Sequence, residues 1–534
     1  MFKKKLTNIL LLIFCGVCIS IKLYIVYFGY VFYHYLVPPG YDVIPHSETI
    51  KSLLDKNIWA NFVGYPKLFH YIIFYLSQIF HKDSFYILTY WTPVLIIIPS
   101  IAMYFLLRQI FNAKTAIITT AFLLFTANYP LYGFVDGNYP NILGYGFFAI
   151  FCLAFFIRFI INKKLLDLSF FIIFYALTAL THHLSFAELT SIILFSTISL
   201  FIYFLFQKTT INKKLIMRVV FLLIILVLIF LLANRMYGTL FITYTNGLIT
   251  GDSVIKDTHL SRAVDYFRYP DIVGPIIWYG GLMGLLYLIS SFNNSKESKP
   301  IKIIIFAWIS ILFTLSKLPQ SGLPERFARE IALPLTVCFA YLINSITHSL
   351  ERHNNRISSI ISYGFVGFVI ILNSSLFNPV LLDSLPNSFS NMVWYRQVDQ
   401  VKTDYIHAHY SKDNPIIINP YANPYMEIKN KGFVKNFVLS NDFSELDKKN
   451  KEYNQQHIQE IYRSLIDKEI KININKVFLI SPKPSGNTDG IVYPIFGGFE
   501  KYYSIMSDIT KNQKIIKQFS DGAYVVKIEN VEKK

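Results

Sequence analysis

The chain has 534 residues, 53% of them hydrophobic and only 16% charged, with a mean hydropathy of +0.42. A soluble globule cannot hide that much apolar surface, so the composition excludes an ordinary soluble domain and points to a polytopic membrane protein. The net charge of +17 is better explained by Lys and Arg collected in cytoplasmic loops than by nucleic acid, which is excluded as a partner.

The N-terminus, "MFKKKLTNILLLIFCGVCIS", has the basic head and apolar stretch of a signal peptide. The apolar run continues to about Leu36, too long for a cleavable segment, and predicts an uncleaved first span with Lys3, Lys4 and Lys5 inside. Cys15, Cys18, Cys152 and Cys338 all lie in apolar runs, so no disulfide framework is expected, and the "CGVC" spacing is read as membrane packing.

Apolar runs long enough to cross a bilayer occur at about eleven places: 9–36, 85–108, 115–134, 141–161, 165–181, 184–206, 215–237, 271–292, 301–318, 328–348 and 357–377. With the N-terminus cytoplasmic, "RQIFNAK", "RFIINKK", "QKTTINKK", "NNSKESKPIK" and "ERHNNR" become inner loops rich in Lys or Arg. The outer turns "NYPLYGFVDGNYP" and "THHLS" have neither, as the positive-inside bias requires. "YPKLFHYIIFYLSQIFHKDS" (65–84) is short for a crossing and is expected to be an amphipathic juxtamembrane helix, so that residues 37–84 form one outer loop. Residues 378–534 are polar and mixed. "PIIINP" and "KVFLIS" read as buried strands, "KIIKQFSDGAYVVKIEN" as a closing hairpin, and "SELDKKNKEYNQQHIQEIYRSLIDKEI" as surface helix. The expected architecture is an α-helical polytopic membrane module, 1–377, followed by an extracytoplasmic soluble α/β domain.

On this topology ionisable residues gather on the outer face, where they are costly and often functional. Asp42, fixed by "PPGYD", reads either as a general base or cation holder, or as a turn residue or helix cap. His46 and Glu48 are candidate metal ligands, or the polar face of a short helix "SETIKSLLDKN" capped by Ser47. Asp136 occupies the turn "FVDGNYP". Two carboxylates from separate loops, Asp42 and Asp136, can share a divalent cation such as Mg or Mn that neutralises a phosphate leaving group. His182 and His183, with Glu188 one turn on, suit phosphate or carbohydrate contact, or simple interfacial polarity; neighbouring histidines point apart and do not make two zinc ligands. Arg326 and Arg329 in "PERFARE" share one side of a helix start. They suit bidentate phosphate recognition, the bland alternative being snorkelling or a pair with Glu330.

In layout the chain resembles the membrane-integral GT-C glycosyltransferases: "GYDVIPHSETI" after the first span, then "YPKLFHYI", then the acidic turn "VDGNYP", and a soluble domain after the last span. "DGNYPNILGY" and "RFAREIALPL" are similar to segments of prokaryotic members. The resemblance covers nearly the whole chain. It implies a polyprenyl- or dolichyl-phosphate sugar donor with its tail between spans, and a protein, lipid or glycan acceptor. It further implies Asp42 as the acceptor-activating base, Asp136 as a metal or donor-phosphate partner, and Arg326 or Arg329 near the lipid-linked phosphate. Inversion at the anomeric carbon and a plasma-membrane location complete the expectation. Two departures stand out: the second turn is "VDGN" rather than an acid-x-acid pair, and no "WWDYG"-type motif is present. The competing readings are a lipid-linked glycan ligase or polymerase and a flippase or transporter. A flippase would be expected to show internal repeats and polar residues at the midplane.

Overall fold

The computed structural model describes residues 13–24, 26–27, 43–53, 65–135, 137–206, 224–237, 263–292, 299–321, 323–353, 361, 364–365, 367, 397–411, 413–418, 434–436, 476–480 and 506–529. The chain divides into two compact units, one comprising Met1–Phe28 and His46–Pro379, the other Gly29–Pro45 and Val380–Lys534.

The first unit is helical. In chain order its described helices, with the start of the second, are α1 (Ile13–Tyr24), α2 (Val43–Ser52), α3 (Leu68–Phe80), α4 (Ser84–Trp91), α5 (Ile98–Ile110), α6 (Ala113–Thr126), α7 (Leu131–Val135), α8 (Tyr139–Leu143), α9 (Ile150–Asn162), α10 (Leu165–Thr181), α11 (His183–Phe206) and α12 (Ile224–Tyr237). There follow α13 (Tyr269–Val273), α14 (Pro275–Ser290), α15 (Lys299–Lys317), α16 (Pro324–Glu330) and α17 (Ala332–His353). Among the described residues five helical stretches are long and apolar enough to cross a bilayer, or six if the bent pair α13–α14 is one span. The expected spans 9–36, 215–237 and 357–377 lie partly or largely outside the described residues.

Local chemistry sets many boundaries. Asp83 and Asn112 cap α4 and α6, accepting from Tyr86 N and Thr115 N at 2.8 Å each. α3 closes with His81 in the left-handed region at φ 50°. The expected span 115–134 stops at Thr126, because "NYP" follows and a proline cannot continue the ladder. The expected span 271–292 is broken at Gly274, where α13 and α14 meet at 114°. Gly274 has φ +101°, and a Cβ there would lie 2.1 Å from the Thr126 carbonyl oxygen, so no other residue fits the corner. α2 begins at Val43, earlier than the expected start, with Pro45 in its first turn. Ser47 is therefore inside the helix and not its cap; its hydroxyl lies 3.3 Å from that of Ser84.

Packing follows membrane rules. α14 meets α17 through its "GGLMG" face; a Cβ on Gly284 would lie 2.1 Å from the Cys338 carbonyl oxygen. Phe155 of α9 stacks on Phe170 and Phe174 of α10, with centroids at 4.9 and 5.7 Å, which gives part of the aromatic content a structural use. Leu194, Ile198, Phe201 and Leu205 form an exposed apolar stripe along α11, as a lipid-facing surface requires. Lys114 and Glu351, from two expected inner loops, pair at 3.2 Å. At the other end Asn128 N donates to the Val273 carbonyl at 3.2 Å, and the Asn128 side chain donates to the Asp271 carbonyl.

The second unit contains a helix, α18 (Gln397–His409), and a five-stranded sheet of β1 (Ile416–Ile418), β2 (Val434–Asn436), β3 (Val477–Ile480), β4 (Ile515–Gln518) and β5 (Tyr524–Lys527). The strand order is β2-β1-β3-β5-β4. β1 runs parallel to β2 and β3, while β5 is antiparallel to β3 and β4. The strands expected at "PIIINP" and "KVFLIS" and the closing hairpin are β1, β3 and β4–β5. Helix α18 and strand β2 were not expected, and the expected surface helix lies outside the described residues.

Candidate functional site

The helical unit draws polar residues at the ends of its helices into two hydrogen-bonded groups. The first joins the end of α10, the start of α11, α8 and α16. Asn141 Nδ2 donates to Glu330 Oε1 at 2.7 Å, and Ser185 Oγ donates to Asn141 Oδ1 at 2.5 Å. His182 Nδ1 accepts from the Ser185 backbone N–H at 3.2 Å and lies 3.0 Å from Ser185 Oγ. His182 Nε2 lies 3.4 Å from Arg326 Nη2. The group joins Arg326, His182, Ser185, Asn141 and Glu330. Four of its five members are almost wholly buried, and Arg326 is half-buried at its outer end.

Glu188, on α11, lies within hydrogen-bonding reach of the Glu330 carboxyl. The Tyr145 hydroxyl accepts from Trp308 Nε1 at 2.7 Å on a π-helical turn, Gly144–Ala149, that joins α8 to α9. Such turns often mark functional positions.

The second group lies on the outer loop. His46 of α2 is 3.0 Å from His70 of α3 through Nδ1 and Nε2, and 3.0 Å from the Gly137 carbonyl through Nε2. Burial pushes the His46 imidazole down to about 4, partly offset by the Gly137 bond. Burial, and then the neighbouring His46 and Lys67, hold His70 well below the ordinary imidazole range. Both rings are therefore neutral at physiological pH. Tyr65 links the two groups, its ring centroid 5.9 Å from His70, 6.4 Å from His182 and 5.5 Å from His183.

Of the residues singled out in the sequence, His46, His182, His183 and Arg326 come together here. Arg329 does not pair with Glu330. It takes Glu325 at 3.1 Å and lies 5.2 Å over the Tyr132 ring, while Glu325 also meets Arg268 at 3.3 Å. Asp42, Asp136 and the Glu48 side chain lie outside the described residues. Among the described residues no three His, Cys, Asp or Glu side chains stand so as to hold a metal ion. Sequence reasoning missed His70, Tyr65, Asn141 and Ser185. The only signal was that each falls in or beside a stretch already marked, "YPKLFHYI", "DGNYPNILGY" or "THHLSF".

No known family profile and no curated protein sequence matches the chain. Solved structures do. The oligosaccharyltransferase of Archaeoglobus fulgidus in its apo form matches with a TM-score of 0.55 at 13% identity, over 86% of this chain and 69% of that one. The same archaeal enzyme, AglB, in complex with an inhibitory peptide and a dolichol-phosphate, matches at 0.53 and 12%, over 87% and 69%. ArnT from Cupriavidus metallidurans, bound to undecaprenyl phosphate, matches at 0.51 and 12%, over 96% of this chain and 97% of that one. The chain thus has the fold of the GT-C membrane glycosyltransferases, with a multi-pass helical unit and a C-terminal sheet.

Proposed function

We propose that the chain is a membrane glycosyltransferase that moves a sugar from a polyprenyl- or dolichyl-phosphate donor to an acceptor on the extracytoplasmic face of the plasma membrane. The observation that carries this reading is the chain from Arg326 through His182 and Ser185 to Glu330. It orients a guanidinium at the outer end of a fold whose solved relatives include proteins with a dolichol-phosphate and an undecaprenyl phosphate bound. In this reading the unit 1–377 is the transferase and residues 378–534 form the extracytoplasmic domain.

Asp42 takes the proton of an acceptor hydroxyl as its oxygen attacks the anomeric carbon. The bond from that carbon to the phosphate oxygen breaks, its electron pair stays with the lipid phosphate, and the sugar is inverted. Arg326, beside His182, stabilises the charge that develops on the phosphate. His182 and His183, beside Tyr65, offer the departing phosphate or the sugar polar contacts without adding charge. Asp136 is the second-loop acid, a metal or donor-phosphate partner in this reading. A divalent cation, if this member uses one, would be held by Asp42 and Asp136 and would neutralise the phosphate; no step above depends on it.

The test supplies radiolabelled polyprenyl- and dolichyl-phosphate sugars and membrane acceptors to the purified protein in lipid vesicles. Transfer of label to an acceptor, lost in Arg326→Ala, supports the reading. Carrier lipid scrambled between leaflets without transfer would replace it with the flippase.

A further inference from the structure

The two outer-loop histidines assign their own hydrogens. A carbonyl oxygen only accepts, so the hydrogen of neutral His46 is on Nε2, donated to Gly137. His46 Nδ1 is then a bare lone pair, and the nitrogen 3.0 Å away, His70 Nε2, carries the hydrogen it accepts. The chain runs His70 to His46 to the Gly137 carbonyl. The last nitrogen, His70 Nδ1, is a buried acceptor that the described residues leave without a donor.

The placement is specific. α2 begins one residue after Asp42, and Gly137 follows Asp136 directly. The Gly137 carbonyl also accepts from Tyr139 N at 2.8 Å, and the turn is closed by Asn138 N to Gly133 O at 2.8 Å and Gly137 N to Phe134 O at 3.1 Å. Phe69 and Tyr139 pack on the His46 ring at centroid distances of 5.7 and 5.9 Å. Two aliphatic side chains would fill that space equally well without burying four ring nitrogens. What the imidazoles add is a directed tie between the first outer loop and the second turn.

We propose that His46 and His70 are a positioning pair that pins the turn following Asp136 to the helix following Asp42. The inference rests on the glycosyl-transfer reading for its consequence, that holding the turn at Gly137 matters for turnover. It rests on the hydrogen bonds alone for its existence. His70 acts through His46.

The experiment uses the full chain in lipid nanodiscs, with the variants His46→Gln, His46→Leu, His70→Leu and the double Leu variant. The first readout, hydrogen exchange at the amides of residues 137–139, needs no substrate. Exchange is expected to speed up in each Leu variant and to stay near wild type in His46→Gln, whose amide can donate to Gly137 and accept from His70. The second readout is transfer kinetics. Turnover is expected to fall about tenfold or more in each single Leu variant with KM for the donor unchanged, to be rescued by Gln, and to fall no further in the double variant. Unchanged exchange in the Leu variants, or turnover losses that multiply in the double variant, would overturn the pair. Faster exchange in a protein that transfers no sugar would leave the tie standing and remove the glycosyl-transfer reading instead.

Discussion

Arg326 and Glu330 stand one turn apart on α16, yet the hydrogen bonds join them the long way round, through His182, Ser185 and Asn141. The loop stitches α16 to α8 and to the junction of α10 with α11. It leaves Arg326 half-buried and oriented, with the Glu330 carboxyl buried one turn below. A short helix on its own would present a mobile arginine; here the side chain is held by three other elements.

Asn141 is the member whose loss is most costly. Asn141→Leu leaves the buried Glu330 oxygen without its donor and frees Ser185, and a destabilisation of about 3 kcal/mol is expected. Thermal unfolding in lipid, compared with wild type, measures it. Asn141→Asp, which sets a third carboxyl beside Glu330 and Glu188, is expected to be worse.

The helix pair α14–α17 makes an independent structural prediction. Gly284→Ala places a methyl group 2.1 Å from the Cys338 carbonyl, so the helices must part, at a cost of about 2 kcal/mol or more. Leu282→Ala, on the same helix, is the control. A melting temperature equal to wild type in Gly284→Ala would show that the helices do not approach this closely.

The outer-loop histidines predict acid sensitivity. The folded His46 value, about 4, lies below the ordinary 6.5, so folding favours the neutral ring. The unfolded chain binds the proton first as pH falls. The contribution is therefore complete above about pH 6.5 and is lost progressively towards pH 4, with a span on the order of 3 kcal/mol for His46 alone. After burial, the neighbouring His46 and Lys67 oppose a charge on His70. Unfolding midpoints measured across this range should fall less steeply in His46→Gln than in wild type.

The bridge between Lys114 and Glu351 is partly exposed, and Glu351→Gln is expected to change stability by less than about 1 kcal/mol. A larger loss in thermal unfolding would mean that the two inner loops depend on the charge and not on the helices that carry them.

Much of the fold was legible because bilayer and sheet both impose strong patterns. The apolar runs marked the helices, and "PIIINP" and "KVFLIS" stood out as β-branched or aromatic strands in polar sequence. The corners were less legible. Gly274 breaks an expected span because of a close approach to Thr126, which hydropathy does not register. Ser47 looked like a cap because a serine before a polar helical stretch usually is one, while Pro45 allowed the helix to begin earlier. In the site, Arg326, His46, His182 and His183 were visible as charge or imidazole at membrane edges. His70, Asn141 and Ser185 were not, since a single polar side chain in an apolar helix gains its meaning only from partners 24 to 189 residues away in sequence.

The most direct test of the central claim is transfer of radiolabelled sugar from polyprenyl- or dolichyl-phosphate to a membrane acceptor, wild type against Asp42→Asn in the same vesicles. The account predicts transfer by the wild type and a loss of at least about a hundredfold in a variant that unfolds at the wild-type temperature. Undiminished transfer by Asp42→Asn would contradict the assignment of the base, and absence of transfer from every donor by the wild type would contradict the glycosyltransferase itself.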